Sequence, residues 1–411
     1  AMVVFGLLQS LMIYLVSMAG FALLAQGGLE STMLKVAAVT LLALFSQPLA
    51  VAATGLLKRR LTFSSIARAS VISSVVYVAT GLALALTGWG LWSLVAAQLV
   101  SMWLLAIQLA VQAALPLRLT GALDFRRTLA NGGWPAVTRM TTWSITNVDT
   151  VFAATMFGAA GAGLYSRAYN IVTQLKESFT AVDNVVRQVF ILGRSEEDQA
   201  RRRTNALRGL RLIVLISAVA AGIMIALRAE IVLVLLGSKW AASIVPLALL
   251  AAALPLRVGQ AYADSLVYVE GSIKFLFFRN LLVFGALVGA LILGAGWGIN
   301  GIAGAVLLAH ATSLLITLSN REVATMLRGT GPAVLHMAQG LAPGLAIVGT
   351  CELLSAALAG QSPVLHAIVR MAAAGTLALM SLTLLPDRWI GSHLAGLRQQ
   401  GLRAIGLGNK L

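Results

Sequence analysis

The sequence predicts an all-α integral membrane protein, a polytopic helical bundle of about twelve transmembrane helices. Three observations carry this. The chain is 59% hydrophobic and 11% charged, with a mean hydropathy of +0.89, whereas a soluble domain is nearer half apolar and a quarter charged. Its apolar stretches are long enough to cross about 30 Å of hydrocarbon, which takes roughly 20 helical residues. Its cations fall in alternate gaps between those stretches, the positive-inside pattern of a polytopic inner-membrane protein.

The occupied gaps hold Lys58, Arg59 and Arg60, then Arg118, Arg126 and Arg127, then Arg194 with Arg201, Arg202 and Arg203. Lys274 and Arg279, Arg321 and Arg328, and a tail with Arg388, Arg398, Arg403 and Lys410 follow. The intervening gaps at 88–90, 158–163, 296–300 and 360–363 carry almost no charge. The pattern puts both ends of this chain in the cytoplasm, with Lys35, Arg228 and Lys239 as exceptions near the other face. The spans read 3–25, 32–56, 66–88, 91–115, 128–157, 164–193, 204–227, 241–268, 273–296, 299–322, 334–359 and 364–386. The stretch 229–236 is too short to span and reads as a re-entrant or interfacial piece. In the tail, Trp389, Leu394, Leu397, Leu402 and Ile405 alternate with Arg398 and Arg403 as an amphipathic surface helix would. Pro48, Pro246, Pro255 and Pro343 interrupt their spans, as in the broken helices of transporters. Gly158, Gly161 and Gly163 look superficially like a phosphate loop, but no strand precedes them, so they read as a tight extracytoplasmic hairpin.

Several function classes fall away. A net charge of +16 raises nucleic acid as a partner, but the cations lie in short membrane-flanking loops rather than on one domain face. The single Cys351 and the scattered His310, His336, His366 and His393 offer no disulfide, metal or cofactor site.

Three spans carry polar stripes at steps of three and four residues, which places each stripe on one helix face. Arg139, Thr142, Thr146 and Asp149 form the first. Tyr165, Tyr169, Thr173, Lys176, Thr180, Asp183 and Arg187 form the second, and Arg257, Gln260, Asp264 and Tyr268 the third. Lys176 and Arg257 fall near mid-bilayer, where a charge facing lipid costs roughly 3 kcal/mol. The stripes therefore face protein or water and imply a shared internal cavity with an excess of positive charge. The alternative is that the charges only pair with one another: Arg139 or Arg257 with Asp149 or Asp264, and Lys176 with Asp183 or Glu177. Arg167 lies close to the outer end of its span, Arg370 has no evident partner, and Glu352 lies well inside 334–359.

Residues 149–170, DTVFAATMFGAAGAGLYSRAYN, resemble the stretch of the polysaccharide flippase family (Wzx-type, polysaccharide transport) in which an Asp-bearing helix leads through a Gly turn into GxYSRAY. Leu236-Gly237-Ser238-Lys239-Trp240, followed by Pro246 and Leu247, is similar to that family's LLGxxWxxA…P segment. Leu57 to Phe63 resembles its LxRxLxF, and Gly88 to Leu94 its GxGxWSL. The match runs over most of residues 50–320. The family belongs to a superfamily with multidrug exporters and lipid II flippases, built as two lobes around a central cavity plus a terminal helix pair.

On that mapping, residues 1–120 are the remainder of an N-terminal lobe and 121–328 the C-terminal lobe. Residues 329–388 are the additional pair and 389–411 a cytoplasmic amphipathic tail. The family's first two helices have no counterpart here, and the resemblance leads us to expect them in on the order of 40–80 residues before Ala1, at about 20 per span plus loops. The implied activity is translocation of polyprenyl-pyrophosphate-linked oligosaccharide across the bacterial inner membrane by alternating access, for O-antigen, capsule or exopolysaccharide assembly. Arg139, Lys176, Arg257 and Arg167 are the cavity cations for the pyrophosphate, whose oxygens accept charge-assisted hydrogen bonds. Asp149, Asp183 and Asp264 are candidates for coupling to protons or sodium, and Tyr165, Tyr169 and Tyr262 for sugar contacts. Other partners on this reading are membrane lipids and further polysaccharide-assembly proteins. The competing readings are a lipid II flippase or a cation/drug antiporter of the same fold. An integral-membrane polymerase or ligase is the alternative of another class; it needs a sizeable extracytoplasmic loop, and every outward gap here is short, so the chain reads as a transporter rather than an enzyme.

Overall fold

The computed structural model describes residues 2–26, 31–115, 125–192, 199–270, 272–327, 329–358 and 361–383. The predicted tail helix at 389–405 lies outside them. Every element among the described residues is helical. Among the described residues, eight stretches are long and apolar enough to cross a membrane: Leu34–Arg59, Phe63–Leu86, Leu91–Gln112, Arg203–Ala226, Ser238–Tyr268, Ile273–Ser319, Thr330–Ala357 and Val364–Ser381. The chain is a multi-pass membrane protein.

The helices fall into two compact units, Ala1–Thr128 and Leu129–Leu411. In the first, α1 (Met2–Gln26) precedes a span broken into α2 (Ser31–Leu41), a 3-10 turn (Leu42–Ser46) and α3 (Gln47–Arg59). The break precedes Pro48, whose missing N–H suits the first turn of a new helix. Ser10 Oγ of α1 donates to the Leu44 carbonyl in the broken stretch at 3.0 Å. Two further spans, α4 (Phe63–Leu86) and α5 (Leu91–Gln112), complete the unit. Ala53, Leu57, Ala69, Leu109 and Ala113 form its buried core. Arg60 Nη1 caps the Ala113 carbonyl beyond the end of α5 at 3.1 Å, supplying one of the donors that a helix C-terminus lacks.

The second unit begins with α6 (Phe125–Leu192), which reverses at Gly158, where φ is 66° and ψ −172°. Glycine reaches that left-handed φ without the Cβ clash that other residues meet. The reversal is narrower than the hairpin at 158–163 expected from the sequence: one residue turns the chain and the second limb starts at once. A Cβ on Gly161 would overlap the Phe157 side chain, so the limbs meet through a glycine.

Beyond α6 come α7 (Gln199–Ala226), the short α8 (Arg228–Leu235), a 3-10 turn (Ser238–Ser243) and α9 (Ile244–Glu270). The remaining helices are α10 (Ile273–Gly294), α11 (Gly298–Ser319), the one-turn α12 (Arg321–Met326), α13 (Thr330–Ala357) and α14 (Pro363–Thr383). Pro246 opens α9, while Pro255 and Pro343 lie inside unbroken α9 and α13. Of the four prolines expected to interrupt spans, Pro48 and Pro246 each follow a 3-10 turn that breaks their span.

The most intimate packing joins α7 to α13. Ala218 and Gly222 of α7 meet Gly344 of α13, and one turn back Gly340 meets Arg211, Val214 and Leu215. A Cβ on Gly222 would lie 2.7 Å from the Gly344 carbonyl oxygen, and one on Gly344 would overlap the Ala218 carbonyl. Small residues four apart on both helices let the backbones approach, the usual source of helix association where lipid offers no hydrophobic driving force.

Three charge assignments need correction. Arg370, read as lacking a partner, bonds Glu230 of α8 (Nη1 to Oε1, 3.2 Å) and caps the Ala226 carbonyl at the end of α7. Glu352 is exposed and held by Arg228 Nη1 at 2.6 Å, while that nitrogen also caps the Ile225 carbonyl at 2.9 Å. The break between α7 and α8 frees these carbonyls, which explains why two arginines gather there. The third, Arg279, is not a loop-flanking cation but one of the most buried charges of the second unit.

Candidate functional site

The site grows from the reversal of α6. Sixteen residues along a straight helix would separate Asp149 from Tyr165 by about 24 Å. Folding at Gly158 instead lets the Tyr165 hydroxyl donate to Asp149 Oδ2 at 2.6 Å. Both side chains are buried, with 1% and 0% exposure. Asp149 Oδ1 also accepts from the Thr150 amide at 2.7 Å. One turn on from Tyr165, the Tyr169 hydroxyl donates to the Thr146 carbonyl at 3.2 Å.

Tyr169 meets the third stripe. Arg257 lies thirteen residues from each end of α9, about 20 Å along its axis. Its Nη2 donates to the Tyr169 hydroxyl at 3.2 Å, and its guanidinium carbon lies 5.2 Å from the centre of the Tyr169 ring. Arg257 is 5% exposed, yet its Nη1 is buried without a hydrogen-bond partner. Asp149 feels its charge, but no ion pair joins Arg257 to a carboxylate among the described residues.

A second cluster lies two turns along α9. Asp264 forms an ion pair with Arg279 of α10 and also accepts from Nη2 at 3.1 Å. Arg279 Nη1 donates to Thr317 Oγ1 of α11 at 2.7 Å, and Nη2 and Nε donate to Asn280 Oδ1 at 2.6 and 3.3 Å. The Asn280 amide nitrogen reaches back to Thr142 Oγ1 at 2.9 Å and Thr141 Oγ1 at 3.2 Å on α6. Between the clusters His310 of α11 contacts Gln260 Oε1 at 3.2 Å, and the charges of Arg257, Lys176 and Arg279 all act on its ring.

The structure thus brings Asp149, Tyr165, Tyr169 and Arg257 into one constellation, with Lys176 close enough to influence His310. Lys176 pairs with its neighbour Glu177 at 3.5 Å. Arg139 is exposed on α6 and stands outside both clusters. Arg167 is exposed and lies over the Trp240 ring at 5.7 Å. Tyr262 is buried, and its hydroxyl donates to the Ala206 carbonyl of α7 at 3.0 Å against Gly209, which ties α9 to α7. The side chain of Asp183 lies outside the described residues. The expected surplus of cations is corrected. Arg279 and Lys176 each hold a carboxylate, and among the described residues of the stripes Arg257 is the buried cation without direct ionic compensation.

Sequence reading missed Arg279, Asn280, Thr317 and His310. Arg279 sits only six residues into its span, so it passed for a membrane-flanking charge. Its neighbour Asn280, still deeper, was the available signal that this face of α10 is polar.

The two clusters together form a polar constellation among the helices of a multi-pass membrane protein. Residues 2–245 match the family model described as polysaccharide biosynthesis protein, and the chain belongs to that family. A search of curated proteins finds no match. Among solved structures the chain is similar to "Lipid II flippase MurJ, inward closed conformation", with a TM-score of 0.67 at 15% sequence identity, covering 92% of this chain and 81% of that one. The likeness shows that the two chains share an all-helical membrane fold.

Proposed function

We propose that this protein is a flippase for polyprenyl-pyrophosphate-linked oligosaccharide, moving it from the cytoplasmic to the periplasmic leaflet of the bacterial inner membrane for surface polysaccharide assembly. It acts as a transporter, not an enzyme. The family of the chain and the likeness of its fold to that of a lipid II flippase support the class. One observation carries the substrate: Arg257, at mid-span, keeps a buried guanidinium nitrogen without a partner. Such a group is costly to leave unmade, and an anion satisfies it. Arg279, whose donors are all used, provides the contrast.

In this mechanism Arg257 grips a phosphate oxygen with Nη1 while Tyr169 fixes the plane of the guanidinium. Lys176 adds charge to the same region, and Arg139 and Arg167 assist from the more exposed parts of their helices. Asp149, held by Tyr165, is the carboxylate best placed to exchange a proton or sodium ion as Arg257 gains and loses its anion. Both ends of the chain lie in the cytoplasm, as the alternation of its cations implies.

The test is complementation of a deletion strain. Arg257→Ala removes the guanidinium that Tyr169 aims at the phosphate, and Arg257→Lys keeps the charge but loses that planar geometry. Ala should abolish surface polysaccharide and Lys should restore it partly, both at normal membrane abundance. Full export by Arg257→Ala at normal abundance would overturn the proposal.

A further inference from the structure

We propose that Arg279 is a tethered cation. Its guanidinium permanently fills an oxygen-lined site between α9, α10 and α11 that would otherwise take a mobile monovalent cation, so Asp264 takes no part in ion coupling. The inference stands apart from the anion reading of Arg257.

The geometry is that of a saturated cation. A guanidinium has five N–H donors and no acceptor. Here Nη1 serves Asp264 and Thr317, Nη2 serves Asp264 and Asn280, and Nε serves Asn280, so all five are used. The acceptors are a carboxylate, an amide carbonyl and a hydroxyl, the oxygen types that ligate hard cations. Each is held in place from outside the cluster. Thr317 donates its own proton to the Ser313 carbonyl at 2.9 Å, which leaves its lone pairs toward Arg279. The Asn280 amide nitrogen is anchored on Thr141 and Thr142, which turns its oxygen inward.

Charge sets the valence. One carboxylate among neutral oxygens balances one positive charge and leaves a divalent ion uncompensated. Arginine stays protonated at any physiological pH and is fixed to α10 by its backbone. It satisfies the oxygens in every state of the protein, whereas a coupling ion has to enter and leave. Two further hydroxyls close by in sequence, Thr138 Oγ1 and Ser313 Oγ, are buried without partners.

The experiment measures Tm of the purified full chain in detergent, in sodium chloride against choline chloride at equal ionic strength. The wild type should melt at the same temperature in both. Arg279→Met should melt several degrees lower in choline and regain part of the loss as sodium is raised, with saturation. That response should vanish in the Arg279→Met, Asp264→Asn double variant. Arg279→Lys, which keeps a charge in the site, should show no sodium response. A folded Arg279→Met that ignores sodium overturns the proposal. So does a wild type that sodium stabilises saturably and whose response Asp264→Asn removes, and this arm holds even if Arg279→Met does not fold.

Discussion

Tyr169 holds Arg257 in two ways at once: its hydroxyl accepts from Nη2 at 3.2 Å, and its ring lies 5.2 Å from the guanidinium carbon. The same hydroxyl donates to the Thr146 carbonyl on the other limb of α6. One side chain therefore fixes the direction of the cation and ties it to the hairpin that carries Asp149. The two contacts can be separated. Tyr169→Phe keeps the ring and removes the hydroxyl, at a cost of about 1 kcal/mol in Arg257 positioning. Surface polysaccharide export should fall roughly five-fold, since 1.4 kcal/mol is tenfold. Tyr169→Ala loses the ring as well and should fall further, with both proteins at normal abundance. Unchanged export by Tyr169→Ala would mean that the tyrosine does not position Arg257.

The Asp264–Arg279 pair should behave in the opposite way to Arg257. Removing one partner leaves a buried charge unpaired, which costs about 3–5 kcal/mol. Asp264→Ala should accordingly reduce membrane abundance and Tm before any effect on export per molecule. Replacing both with apolar residues, as in Asp264→Leu with Arg279→Met, should recover much of that loss, because no buried charge remains. Quantitative immunoblotting of membranes with thermal melts of purified protein decides the point.

Helix packing gives a prediction free of charge. Gly344→Ala places a methyl into the Ala218 backbone, whereas Gly349→Ala, on the same helix, meets nothing within 4 Å. The first should cost about 1–3 kcal/mol, as overpacking does, and lower Tm clearly. The second should leave Tm unchanged or raise it slightly, because alanine is the better helix former. Equal Tm values for the two variants would contradict the close approach of α7 and α13.

Topology is testable with single cysteines in a Cys351→Ala background. Ser64, Thr87 and Ala160 are exposed. Ala160 is preferred to Gly161, where any side chain would collide with Phe157. In intact cells an impermeant maleimide should label Thr87→Cys and Ala160→Cys and spare Ser64→Cys. The reverse pattern would invert the orientation.

The sequence by itself determined the all-helical membrane fold class and the helical character of its apolar stretches. Span length and helical period are local properties, set by the thickness of the hydrocarbon and by 3.6 residues per turn, so they are written directly in the order of residues. Which charges meet is not local. Arg257 and Arg279 are both single cations in apolar helices, and although Asn280 adjoins Arg279, nothing local says that Asp264 and Thr317 complete its saturation while Arg257 keeps a nitrogen unused. Only the tertiary structure decided that, because Asp264 and Thr317 arrive from α9 and α11, and a shift of one residue in the register of α9 against α10 would redistribute the contacts. The turn at Gly158 decided the rest: by reversing α6 within one residue it brings Tyr165 onto Asp149 and Tyr169 under Arg257, contacts that a longer hairpin with the same sequence pattern would not make.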